Sequence, residues 1–297
     1  VNSRLFLNRA AGRKSVDNNP NSAWTIGRFY GVNGKDLLRQ DRDFKNGFKD
    51  WSQRSHAKKW LLFPENLGPY LSIDETSLSR GEPYTILTNK AAKGGHGSIV
   101  AIVAGTKAET VIEVLRKIPE IRRKKVTEIT LDMAGSMSMI ANRYFPRATR
   151  VTDRFHVQRL ATEALQQMRI KLRWEALDQE NDAIEHAKAT QTEYVAEILP
   201  NGDSLKQLLA RSRYALYKKA SAWTENQKER AQLVFERFPD LKKAYDLAQE
   251  LSNIFTNTTE KIYGLTRLAR WHEGVRQSGF KSFNTVARSI VNHYKLL

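Results

Sequence analysis

The chain has 297 residues with 49 Lys and Arg against 32 Asp and Glu, a net charge of +17 and a sequence pI near 10.0. Its 6 Trp, 10 Tyr and 12 Phe exclude a natively disordered chain, and the lack of cysteine excludes disulfides, thiolate nucleophiles and cysteine-based zinc sites. So large a positive surplus draws polyanions, nucleic acid before acidic membrane surface. No apolar run of ~18 residues is present to suit a membrane span, and an intracellular protein without a membrane partner is expected.

The charge is uneven. Residues 1–60 hold 13 Lys and Arg but 5 Asp and Glu, so this fifth of the chain carries nearly half of the excess. Residues 1–22 are polar, contain the breaker cluster Asn18-Asn19-Pro20-Asn21 and are expected to be loosely ordered. Helical spacing of apolar residues begins at Ala23-Trp24-Thr25-Ile26 and runs to Tyr30. Gly31-Val32-Asn33 reads as a tight turn, and Gly34 to Gln40 as a second, basic helix. Helix, glycine turn and basic helix form a helix-turn-helix pattern, on which Lys35, Arg39 and Arg42 would face phosphate or groove. Many proteins that never touch DNA share that pattern, so by itself it is a weak signal.

From Trp60 the texture changes. Strands are predicted at Tyr70–Asp74, Tyr84–Thr88 and Ser98–Val103, joined by short turns at Ser79–Glu82 and Lys93–Gly97 that make neighbours antiparallel. An amphipathic helix is expected from Ala108 to Ile118, stopped by Pro119. A strand at Val126–Leu131, a helix at Ser136–Tyr144 and a strand at Ala148–Thr152 follow, and from Phe155 onward the pattern is almost wholly helical. The order β-β-β-α-β-α-β, a meander continued by two parallel crossovers, is that of the ribonuclease H-like mixed sheet. The expected organisation is a basic helical segment over residues 1–59, an α/β core over 60–157 and an all-helical region over 158–297.

Three aspartates stand at the ends of predicted strands: Asp74, Asp132 and Asp153. In this topology the three strands are neighbours with one direction, so their C-terminal ends share one edge of the sheet, where open α/β sheets place their sites. Carboxylates crowded there repel one another unless a cation is held between them. Hard oxygen ligands without cysteine suit Mg²⁺ or Mn²⁺. Two such ions flanking a phosphodiester would assist an attacking and a leaving oxygen. The plainer reading of Asp132 and Asp153 is a helix N-cap; Asp74 has no helix after it to cap. His156 would steer a water or phosphate, or simply bond within its helical turn. Glu75 points to the opposite strand face and is left out of the ion-binding set.

At these residues the sequence resembles the DDE insertion-sequence transposases of the ISL3 type. The resemblance is carried by Leu71-Ser72-Ile73-Asp74-Glu75-Thr76-Ser77, by Thr130-Leu131-Asp132-Met133, and by Tyr144-Phe145-Pro146-Arg147-Ala148 leading to Thr152-Asp153-Arg154-Phe155-His156-Val157. It is strongest over residues 60–175 and continues more loosely to Gly279-Phe280-Lys281-Ser282-Phe283. It implies a ribonuclease H-like core interrupted by a helical insertion, two divalent ions, cleavage of double-stranded DNA at element ends, and joining of a 3′-hydroxyl to target DNA. It also implies a homo-oligomer on DNA, in the bacterial cytoplasm with the nucleoid. Asp74 and Asp132 match the first two acids of the family's triad, and Asp153 a supporting aspartate. The family's third acid is a glutamate on a helix after the insertion. The chain stops at His293-Tyr294-Lys295-Leu296-Leu297, about where that stretch would begin, and Glu273 in Trp271-His272-Glu273-Gly274 resembles insertion sequence instead. A fragment, an inactive DNA-binding remnant, or a site completed by another polypeptide is therefore expected.

In the helical half, Leu160, Ala164 and Met168 mark an apolar face with Lys171 and Arg173 outside it, and Trp174, Trp223 and Trp271 are read first as core residues. A haloacid-type phosphatase would also begin from a strand-end aspartate, but it needs a second aspartate two residues on, where this chain has Thr76.

Overall fold

The structure, a computed structural model, describes residues 22–45, 47–79 and 81–293. Apart from Ser22, the N-terminal segment expected to be loosely ordered lies outside them. Two compact units form: one takes the described residues up to Gly68 with Glu75–Arg123, the other Pro69–Asp74 with the residues from Lys124 on.

The first unit opens with the expected helix pair. In α1 (Ala23–Tyr30) the Ser22 hydroxyl accepts from the Thr25 N–H, and Gly31 ends the helix in the left-handed region at φ 62°. In α2 (Gly34–Gln40) Asn33 Oδ1 accepts from the Lys35 N–H at 2.9 Å. Such caps satisfy N–H groups that a first helical turn leaves without partners. The two helices meet backbone to backbone. A Cβ on Gly27 would lie 2.6 Å from the Val32 carbonyl oxygen, and one on Gly34 would lie 2.8 Å from the Trp24 Cα, so a side chain at either position would force them apart. Ala23, Ile26 and Leu37 are buried between them.

The same unit contains β1 (Trp60–Leu62), β3 (Glu82–Asn89), β4 (Ile99–Ala104), α3 (Ala108–Leu115) and α4 (Glu120–Arg123). Strand β1 pairs antiparallel with β4, Trp60 opposite Val103, and β4 pairs antiparallel with β3. Sequence reading missed β1, because three residues are too few to display a period of two. It also carried α3 too far: the α-helix ends at Leu115, the Arg116 N–H still bonds back four residues to Ile112, and the two after it bond back three, Lys117 to Val114 and Ile118 to Leu115, in a tightened last turn.

Among the described residues these strands join β2 (Tyr70–Ser79), β5 (Glu128–Leu131) and β6 (Thr149–Thr152) in one six-stranded mixed sheet in the order β1-β4-β3-β2-β5-β6. Strand β2 runs parallel to β5, which runs parallel to β6. The registers align Ile73 with Leu131 and Leu131 with Thr152. The sequence reading closes the first predicted strand at Asp74; β2 instead continues to Ser79. Its neighbour β5 stops at Leu131 while its other neighbour, β3, remains available, so Asp74 closes only the part of β2 that pairs with β5.

The second unit continues with α5 (Gly135–Tyr144) between β5 and β6, then a helical region. That region comprises α6 (Arg154–Ala189), α7 (Leu205–Arg211), α8 (Arg213–Leu216), α9 (Glu225–Arg237), α10 (Pro239–Asn257), α11 (Lys261–Ser278) and α12 (Lys281–His293). Its core joins Val157, Ala161, Ala164 and Leu165 of α6 to Leu241, Leu251, Trp271 and Phe283. The Trp271 indole N–H donates to the Leu247 carbonyl at 2.8 Å, and that of Trp223 to the Ala215 carbonyl at 2.7 Å. Trp271 is a core tryptophan, as read from the sequence, and Trp223 is half-buried against the same core. Trp174 is not part of it, with 61% of its surface exposed.

Candidate active site

Asp74, Asp132 and Asp153 each occupy the position one residue beyond the aligned row Ile73, Leu131 and Thr152. Alternation along a strand sends Ile73 and Leu131 into the core, where both are 1% exposed, and the residues after them to the opposite face. Parallel register therefore converts three acids far apart in sequence into a row. The Asp153 N–H donates to the Leu131 carbonyl at 2.8 Å and extends the β5–β6 pairing to the last member of that row.

His156 completes the group. It sits in the first turn of α6, three residues after Asp153, where helical geometry aims a side chain back over the N-terminus. Its Nε2 lies 3.5 Å from Asp74 Oδ1 and 3.9 Å from Asp153 Oδ2, and its Nδ1 lies 3.5 Å from Asp132 Oδ2. These separations exceed good hydrogen-bond lengths, and Nδ1 is a buried nitrogen without a hydrogen-bond partner. The imidazole is 8% exposed whereas the Asp74 side chain is 54% exposed, so a buried ring lies beneath carboxylates that reach solvent.

The capping reading divides the three acids. Asp153 is the N-cap of α6: its Oδ1 accepts from the Phe155 N–H at 2.9 Å, while Oδ2 faces His156. Asp132 caps no helix; α5 begins after Ala134, and Asp132 Oδ1 accepts from the adjacent Met133 N–H at 2.6 Å. Glu273 stands elsewhere, on α11, where both its oxygens accept from Arg276 and one also from Gln277. Hydrogen bonds from Arg276, then from Gln277, hold its carboxyl below the ordinary range.

Among the described residues no three His, Asp or Glu side chains are arranged as a metal-ligand set. The donors present are partly exposed carboxylate oxygens in a row, with no sulfur, a donor type that could hold a hard cation.

The basic residues singled out at the N-terminus are all exposed. Arg39 pairs with Asp36 at 2.9 Å, and Arg42, on a short π-helical turn after α2, with Asp43 at 2.6 Å. The Lys35 ammonium lies 6.0 Å from the centre of the exposed Trp24 ring.

A mixed sheet with carboxylates in register at the end of its parallel strands puts acidic side chains on the edge where open α/β sheets place their sites. The family model for ISL3-type DDE transposases matches residues 71–297, and the chain belongs to that family. It is similar to the transposases for insertion sequence element IS1557 of Mycobacterium tuberculosis strains CDC 1551 / Oshkosh and ATCC 25618 / H37Rv. Each is 26% identical over 231 residues, which cover 75% of this chain and 49% of the relative. The chain thus spans about half the length of these relatives. Among the described residues no helix is long and apolar enough to cross a membrane.

Proposed function

We propose that this chain carries the acidic centre of an insertion-sequence transposase, which cleaves double-stranded DNA at element ends and joins the freed 3′-hydroxyl to target DNA. The observation that carries this reading is the row of Asp74, Asp132 and Asp153 one residue past aligned strand ends, gathered about His156. Asp74 and Asp132 would hold Mg²⁺ or Mn²⁺, with Asp153 in support; when bound, a pair of such ions stabilises charge on the attacking and leaving oxygens of an in-line displacement. The protein residues contribute position. Strands fix the carboxylates more rigidly than loops would, and His156 fills the space between them and keeps their inner oxygens from bulk water.

The strand order with β2 central, flanked by β3–β4 on one side and β5–β6 on the other, supports a ribonuclease H-like core over residues 60–157. The long run of helices after Asp153 supports an all-helical insertion over 158–297. Residues 1–59 would dock DNA. Lys35 is the readiest of the three basic residues, since Arg39 and Arg42 would have to exchange a carboxylate for a phosphate. The active form would be a homo-oligomer assembled on DNA, in the cytoplasm with the nucleoid.

Manganese binding, followed by electron paramagnetic resonance, tests the site. Asp74→Asn and Asp132→Asn should each weaken Mn²⁺ at least about tenfold, in line with the loss of a charged ligand, and leave the circular-dichroism melt unchanged. Equal Mn²⁺ affinity in all three proteins would overturn the assignment. Duplex affinity should fall steeply with added salt as phosphate contacts release counterions.

A further inference from the structure

Arg169 is a charge inside the apolar face of α6. It follows Ala161 and Leu165 at four-residue spacing and is 5% exposed. Its bonding partners are neutral: Nε donates to Gln166 Oε1 at 2.6 Å and Nη1 to the Leu209 carbonyl at 2.8 Å, while Gln166 Nε2 donates to the Arg213 carbonyl at 3.3 Å. Two of the charges that act on it are cations. Burial lowers its pKa most, followed by Arg173, one turn along the same helix, and Arg213 at the start of α8, while Tyr217 acts more weakly in the opposite direction.

Buried charges are ordinarily paired, and several arginines elsewhere in the helical region are paired with carboxylates: Arg211 and Arg230 with Asp203, Arg237 with Glu197, Arg276 with Glu273. A buried guanidinium held by carbonyl oxygens, with the exposed Arg173 one turn along α6 and the exposed Arg213 tied through its carbonyl to the same Gln166, is a cationic cluster with no carboxylate among its bonding partners. The surface around it suits one kind of polyanion. The Arg213 guanidinium lies 5.7 Å from the Tyr214 ring centre, and Ile170 and Trp174 on α6, Tyr214 on α8 and Tyr217 just after it are exposed. Interleaved guanidinium and aromatic groups match a sugar-phosphate chain, whose charges repeat between apolar sugar faces.

We propose that Arg169, Arg173 and Arg213 form a phosphate-binding site at which the helical region grips the backbone of duplex DNA. It rests on the reading of the chain as a DNA transposase and adds a contact made by α6 and α8 to that of residues 1–59. Arg169 is a positioning residue that raises the local potential, and Arg173 and Arg213 reach the phosphates.

Fluorescence anisotropy with the whole chain and a labelled duplex tests it. The variants are Arg173→Ala, Arg213→Ala and the double, with Arg276→Ala as a control for loss of one exposed charge. All four should melt like the wild type. Each single variant should lower the slope of log affinity against log salt by about one unit and the double by about two, whereas the control leaves it unchanged. A double variant indistinguishable from Arg276→Ala overturns this site while wild-type duplex binding stands. A wild-type protein that binds no duplex overturns the DNA reading together with it. Displacement of the duplex by polyglutamate of matched charge would assign the pocket to an acidic protein and also overturn the proposal.

Discussion

Two clusters in the second unit hold aspartate beside nitrogen-bearing side chains, and they are built to opposite ends. Asp203 is 1% exposed and bonded at both oxygens: Arg211 donates to one, Arg230 to the other at 2.8 Å, and Asn201 adds a third bond at 3.0 Å. Around His156, by contrast, three carboxylates share one imidazole at 3.5 to 3.9 Å and keep surface open to solvent. At Asp203 each oxygen has a donor, whereas around His156 the ring nitrogens stand beyond good hydrogen-bond length from the carboxylates. The contrast predicts that the buried cluster governs stability and the open one governs ion binding.

The largest effect is therefore expected at Asp203. Asp203→Ala leaves two guanidiniums without their carboxylate, and breaking a buried pair from one side costs about 3 to 5 kcal/mol. The half-exposed Arg211 can turn to water, which places the loss near about 3 kcal/mol, measurable by urea denaturation. A loss near zero would erase the distinction between the clusters. Burial pushes the Asp203 carboxyl upward, but hydrogen bonds from Arg230 and Arg211 outweigh it and hold its pKa below the ordinary 3.8. A depressed folded-state pKa stabilises the fold fully above the unfolded value, and that stability is lost as pH falls through the folded one. Denaturation midpoints of the wild type should decline below about pH 4 more steeply than those of Asp203→Asn.

How much of this could be read beforehand follows the same division. The row of acids was legible, because strand order and the crossover rule bring Asp74, Asp132 and Asp153 to one edge whatever the exact boundaries. The place of Asp74 within β2 was not, since the run after it, Glu75-Thr76-Ser77, is polar on both faces and hides a strand that continues only because β3 does. The depth of His156 was half visible: a residue three places after an N-cap turns back over it, but its burial depends on the whole sheet edge. Arg169 carried a signal that went unread, an arginine in phase with Ala161 and Leu165 on an otherwise apolar stripe. Asp203 carried none, since Arg211 and Arg230 reach it across turns that no periodicity describes.

A smaller effect sharpens the comparison at the acid that belongs to both kinds of cluster. Asp153 caps a 36-residue helix through Oδ1 and faces His156 through Oδ2. Asp153→Ala should cost about 1 kcal/mol, the usual value of a lost N-cap, and should weaken Mn²⁺. Asp153→Asn keeps an oxygen for the Phe155 N–H and removes only the charge, so its stability should stay within about 0.5 kcal/mol of wild type. If Asp153 supports the ions, its Mn²⁺ affinity should nevertheless fall as far as that of the alanine variant. If the asparagine variant instead binds Mn²⁺ like the wild type, Asp153 is a cap alone, and the open cluster reduces to Asp74 and Asp132 with His156 between them.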